Sequence, residues 1–160
     1  MTDQAEIEAK FWKALKSDRT VMLGLASDPA QAQPMTAQIE GDEGGPIWIF
    51  TSSETDLARA LDGRADAFLH FADKGHGLFA AVEGRLSLDT DRATVERLWN
   101  PFVAAWFEGK DDPKLRLLRF EPGEGRVWLN EHSLLAGVKM LLGSDPKDDY
   151  KDKVADVRLN

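Results

Sequence analysis

The feature that most narrows the fold lies between Val21 and Ser53, where three strand-like segments follow one another through short turns. Val21 to Ala26 is largely apolar, and Ser27-Asp28-Pro29 supplies turn chemistry behind it. Met35, Ala37 and Ile39 then alternate with Thr36, Gln38 and Glu40, the period of a strand with one buried face. Gly41-Asp42-Glu43-Gly44-Gly45-Pro46 turns the chain into Ile47-Trp48-Ile49-Phe50, a run of strong strand preference. Parallel neighbours need crossovers of about a dozen residues or more, so these segments predict an antiparallel meander.

The third strand runs into Thr51-Ser52-Ser53-Glu54-Thr55-Asp56-Leu57, which reads as strand, turn, helix. Ser52, Ser53 and Thr55 can each cap the helix start. Free backbone N–H groups and the positive end of the helix dipole also suit an anion such as a phosphate. Capping alone accounts for the hydroxyls equally well, because no glycine-rich loop or lysine adjoins them.

The remaining pattern inserts helices between further strands. Ile7, Phe11, Trp12 and Leu15 recur at helical spacing, and Ser17-Asp18 closes that segment. A short helix of Leu57, Ala58, Ala60 and Leu61 can end at Gly63. Ala67 to Ala72 and Leu78 to Leu88 predict a hairpin around Asp73-Lys74-Gly75-His76-Gly77, with Gly84 marking a bulge. Asp91 to Trp106 is helical in two pieces restarted by Pro101, with Val95, Leu98 and Trp99 on one stripe. Leu115–Phe120 and Arg126–Leu129 read as two strands around Pro122-Gly123-Glu124-Gly125, and a last helix is expected from Ser133 to Leu142. About seven strands with inserted helices make a mainly antiparallel α+β protein, a small barrel rather than a doubly wound sheet. Residues 1–142 form the expected single domain. Residues 143–160 form a polar tail, expected to be mobile or to fold over a partner subunit.

Composition removes several kinds of chemistry. Lys and Arg number 20 against 28 Asp and Glu, a net charge of −8 that opposes the backbone of a nucleic acid. The absence of cysteine excludes disulfides and thiolate catalysis. No long apolar run suggests a membrane span, so a cytoplasmic protein is expected. His70, His76 and His132 lack ligand spacing for a helix-borne metal site, and His70, within a strand pattern, is expected in the core. With no nucleophile elbow and no Walker loop, any chemistry here is expected to be carried by a bound cofactor.

Several local phrases carry a resemblance. They are Pro34-Met35-Thr36, Phe50-Thr51-Ser52, Phe71-Ala72-Asp73 and Arg126-Val127-Trp128, together with the longer series Leu98-Trp99-Asn100-Pro101, Ala105-Trp106-Phe107 and Gly109-Lys110-Asp111-Asp112-Pro113. In these the chain resembles the general stress protein group of the pyridoxamine 5'-phosphate oxidase-like flavoproteins, whose fold is the FMN-binding split barrel of six to seven strands. The resemblance spans about Phe11 to about Val138.

The resemblance implies a homodimer with two FMN sites in clefts between protomers; FAD or riboflavin remain alternatives. Met35 and Thr36 would border the isoalloxazine, Phe50, Thr51, Ser52 and Ser53 would lead to the phosphate, His76 would lie near the flavin, and Trp106 would come from the other subunit. Many relatives have an arginine just before the Pro-Met pair and a lysine in the helix after the Thr-Ser, both serving the phosphate; here those positions hold Gln33 and Leu57. Arg59 and Lys74 are the candidate substitutes. A flavin-dependent oxidoreductase and a non-enzymatic split-barrel module with weak or lost flavin binding both follow, while an oxidase of a pyridoxamine-like substrate lacks a basic cluster for a second phosphate.

Overall fold

Apolar side chains at every second position bend the strands into a closed barrel. In the computed structural model, which describes residues 4–130 and 154–159, the strands are β1 (Thr20–Leu25), β2 (Gln33–Ile39), β3 (Ile47–Ser52), β4 (Arg64–Ala72), β5 (Leu78–Leu88), β6 (Leu115–Leu129) and β7 (Val154–Arg158). Their order is β3-β2-β1-β4-β5-β6-β7, and β3 also pairs with β6, so β1 to β6 close an antiparallel barrel that β7 extends. This is the split-barrel architecture. The helix expected from Ser133 to Leu142 lies outside the described residues.

Val21, Leu23, Ile47, Ile49, Leu69 and Phe120 point inward and are buried together. Helix α1 (Gln4–Ser17) buries Ile7, Phe11, Trp12 and Leu15, and Phe11 meets Phe71 edge to face at 6.4 Å between ring centroids. Helix α2 (Asp56–Ala60) sits at the other end, where Leu57 and Leu25 line one cleft. The two ends are opposite because β1 and β4 run from the Met22–His70 pair to the Leu25–Ala67 pair, and Phe71 lies beyond the first.

A second apolar cluster covers the outside of β3 and β6. Trp48, Leu115 and Leu117 pack there with Val95 of α3 (Arg92–Leu98), and Leu98, Trp99 and Phe107 lie against them. Helix α4 (Pro101–Ala104) is capped by Asn100, whose Oδ1 accepts from the N–H groups of Phe102 (2.9 Å) and Val103 (3.1 Å). Asn100 Nδ2 donates to Gln38 Oε1 at 3.2 Å, tying α4 to β2.

The meander, the β4–β5 hairpin and the Gly84 bulge occur where the sequence predicts them. Three expectations are corrected. Leu115–Phe120 and Arg126–Leu129 are not two strands but one, because the register shift between Val82 and Gly84 absorbs the Pro122–Gly125 stretch without a turn. Part of the expected free tail is strand β7, which pairs with β6 from Trp128–Val154 to Glu124–Arg158 and adds Val157 to the core. His70 is exposed, since Leu69 and Phe71 take the inward parity and leave His70 outward beside Phe68. Among the described residues no helix is long and apolar enough to cross a membrane.

Candidate functional site at the split between β2 and β3

The β2–β3 ladder consists of Ala37–Ile49, Gln38–Trp48 and Ile39–Ile47. Before Ala37, Gln33 to Thr36 pair with β1; after Ile49, Phe50 to Ser52 pair with β6. The two edges therefore diverge, and their facing backbone groups are not used in pairing β2 with β3. A planar ligand laid along such an edge meets backbone donors and acceptors that need no side chain. Met35 lies half-buried against the core, Thr36 is exposed, and Phe50 packs edge-on to Trp99 at 6.2 Å.

At the end of β3 the hydroxyls are largely engaged in the turn. Thr55 Oγ1 donates to the Ser52 carbonyl (3.0 Å) and accepts from Ala58 N–H (3.2 Å) as the cap of α2. Its one proton being committed, Thr51 Oγ1 is the donor in their 3.1 Å contact. Ser52 Oγ accepts from Glu54 N–H at 3.1 Å, and Ser53 N–H donates to the Lys114 carbonyl at 2.8 Å. The Ser53 hydroxyl has no protein partner among the described residues.

The structure brings only part of the expected set together. Gln33, Met35 and Thr36 line one lip of the split, and Phe50 to Ser53 the other. Leu57 faces the core, 3% exposed, so it is no position from which a side chain reaches a phosphate; a lysine there would have to bury its ammonium. Gln33 Oε1 is buried without a hydrogen-bond partner. Beside α2, a cleft of about 360 Å³ is lined by Leu25, Asp28, Gln31, Asp56, Leu57 and Ala60, and its two carboxylates oppose an anion. Arg59 is exposed.

His76 and Lys74 occupy the tip of the β4–β5 hairpin, at the α1 end of the barrel and away from Thr51 to Ser53 of the same chain. His76 has φ 55, in the left-handed region, and stacks on Phe79 at 6.0 Å. Asp73 Oδ1 holds the tip by accepting from Gly77 N–H at 2.7 Å. Trp106 lies just past α4 and is 83% exposed.

Sequence reasoning overlooks Arg116. It pairs with Thr51 across β3–β6, and its half-buried side chain lines a pocket of about 170 Å³ with Ser53, Ala58, Leu61, Leu88 and Leu118. The signal that could have found it is parity: Arg116 stands two residues before inward-facing Leu118, which places a cation at the barrel mouth.

The sequence profile described as pyridoxamine 5'-phosphate oxidase-like matches residues 6–147. The chain belongs to the pyridoxamine 5'-phosphate oxidase-like family. Among solved structures it is similar to a general stress family protein of Xanthomonas campestris pv. campestris, 59% identical over 89% of this chain and 100% of that one, with TM-score 0.77. A general stress FMN/FAD binding protein of Xanthomonas citri is 58% identical over 88% of this chain and 100% of that one, with TM-score 0.78. General stress protein 26 of Bacillus subtilis is 28% identical over 53% of this chain, and the match spans 63% of that relative's length. In this pyridoxamine 5'-phosphate oxidase-like chain, the Pro34-Met35-Thr36 lip and the Phe50-Thr51-Ser52 lip are the two edges of the split.

Proposed function

We propose that this chain is a flavin-binding general stress protein that prefers FMN and works as a homodimer. The observation that carries the reading is Gln33 Oε1, a carbonyl buried without a donor beside the unpaired edge of β2. A buried acceptor left unsatisfied costs about 1–3 kcal/mol, and the hydroxyls of a flavin's ribityl chain, which leads to the phosphate, are donors of the kind it lacks. Half-buried Met35 on the inner face of β2 and half-buried Phe50 on the outer face of β3 offer apolar surface to either side of the split, and the free Ser53 hydroxyl offers a donor to a phosphate. The similar Xanthomonas citri protein, named for FMN/FAD binding, supports the same reading.

A bound flavin supplies hydride or electron transfer; the chain's own residues would bind and orient it and keep water from its face. Among the described residues no three His, Cys, Asp or Glu side chains gather as metal ligands would. Phe102 in α4 and Trp106 just past it, 80% and 83% exposed, support a second subunit covering them. Light scattering should then give about twice the 17.8 kDa chain mass, and a monomer mass at micromolar concentration would overturn the dimer.

A second reading, a split-barrel module with weak or lost flavin binding, is favoured by Gln33 and Leu57 at the positions where the resemblance implies cations, and by Asp28 and Asp56 in the adjacent cleft. Titration of the purified, flavin-stripped protein with FMN, followed by flavin fluorescence, separates the two. Saturable binding at micromolar FMN supports the first reading. Failure to bind at millimolar FMN leaves the second.

A further inference from the structure

We propose that Arg116 and Ser53 form a phosphate-monoester site, which replaces from β6 the cations missing at Gln33 and Leu57. The source of the phosphate, the flavin's own group or free phosphate, rests in part on the flavin reading above. Four described arginines, Arg19, Arg59, Arg64 and Arg116, have no carboxylate partner, and of these Arg116 alone is half-buried. The others keep their hydration. A guanidinium that has lost part of its water without gaining a counter-ion is unsatisfied in a way an anion corrects.

The side chain is also held in place. Arg116 Nη1 donates to the carbonyls of Pro113 and Leu115, both at 2.8 Å, which leaves Nε and Nη2 to present a two-pronged donor edge. The pocket of about 170 Å³ has the Ser53 hydroxyl on its wall, and Ala58, Leu61, Leu88 and Leu118 make the rest apolar, where a charge-assisted bond is less screened. Glu54, the acid that follows Ser53, is taken by Lys114 at 3.3 Å. Because Arg116 pairs with Thr51, and Thr51 belongs to the β3 lip of the split, the pocket adjoins the end of that lip.

The test compares FMN, riboflavin and inorganic phosphate on the full chain as wild type, Arg116→Gln and Ser53→Ala. Wild type is expected to bind FMN about tenfold or more tighter than riboflavin, with inorganic phosphate competing against FMN only. Arg116→Gln should erase that preference with riboflavin affinity unchanged, which also reports that the variant is folded, and Ser53→Ala should narrow it. Equal loss for both flavins, or no loss for either, overturns the site. Should Arg116→Gln fail to fold, Ser53→Ala decides: a narrowed preference supports the site and an unchanged one overturns it. If wild type binds neither flavin, the flavin reading falls and thermal stabilisation by inorganic phosphate decides the site alone. A shift present in wild type and absent in Arg116→Gln keeps it with free phosphate as occupant; no shift overturns it.

Discussion

At Gly84 a single missing side chain decides whether two strands can pass. A Cβ built there would lie 2.3 Å from the Glu121 carbonyl oxygen and 2.7 Å from Phe120 Cζ, and the first of these is backbone that cannot swing aside. Gly84→Ala should therefore cost about 1–3 kcal/mol, read as a lowered urea midpoint with an unchanged slope. An unaltered midpoint would mean that the bulge relaxes freely. This residue is legible in the sequence, because a glycine that interrupts a regular alternation marks a bulge or a close approach of two backbones. His70 and Leu57 are less so. The strand pattern draws His70 into the core although Ala67, Leu69 and Phe71 already occupy the inward parity, and motif alignment gives Leu57 a surface role that its apolar side chain contradicts.

Among the elements, α4 depends on one side chain more than on its own length, for a four-residue helix cannot sustain itself. Asn100→Ala would remove both cap bonds and leave the buried Gln38 amide without its donor, so a loss of about 1–3 kcal/mol is expected by chemical unfolding. Asn100→Asp, which keeps the cap acceptor, should lose less. Helix α3 is tied to the residue that follows β2 by Arg97 and Glu40, whose Nε–Oε2 distance is 2.8 Å. The hydrogen bond from Arg97 holds the Glu40 carboxyl below its ordinary 4.5. Backbone N–H groups of Glu108 and Lys114 do the same for Asp112, and Arg126 for Asp156, both below 3.8. Lowered folded-state values contribute stability above the unfolded pKa and lose it as pH falls through the folded one, so acid should destabilise the protein from about pH 4.5 downward. Unfolding midpoints taken stepwise into acid should show this, and Arg97→Gln should flatten the part due to Glu40; an identical slope in the variant would sink that assignment. At this scale periodicity recovers every α-helix in the described residues, but it misses the 3-10 turn at Pro29–Gln31 and divides β6 in two. Pro122-Gly123-Glu124-Gly125 has turn composition, and only the bulged register on β5 lets such residues stay in a strand.

For the molecule as a whole, the barrel and its meander can be read from alternation and turn length, whereas β7 cannot. Val157 and Leu159 carry the right period, yet they stand among charged residues, and a five-residue strand with one buried apolar residue, followed by buried Leu159, is visible only once β6 offers an edge. Val157 is 3% exposed, so Val157→Ala should cost about 1–3 kcal/mol in thermal or urea unfolding; a shift below about 0.5 kcal/mol would show that β7 lies on the barrel without supporting it. The pairing of β3 with β6 has a kinetic side. Ile47 must find Phe120 with α2, the β4–β5 hairpin, α3 and α4 in between, while β4 and β5 are joined by a tight turn. Contacts so distant along the chain form slowly, because loop entropy is lost before the pairing returns it. Pulse-labelled amide exchange during refolding should protect β4 and β5 ahead of the β3–β6 ladder, and simultaneous protection would refute this order. Until the closure occurs, β3 and β6 each offer an open ladder to neighbouring molecules, so the yield of refolded protein should fall as its concentration rises.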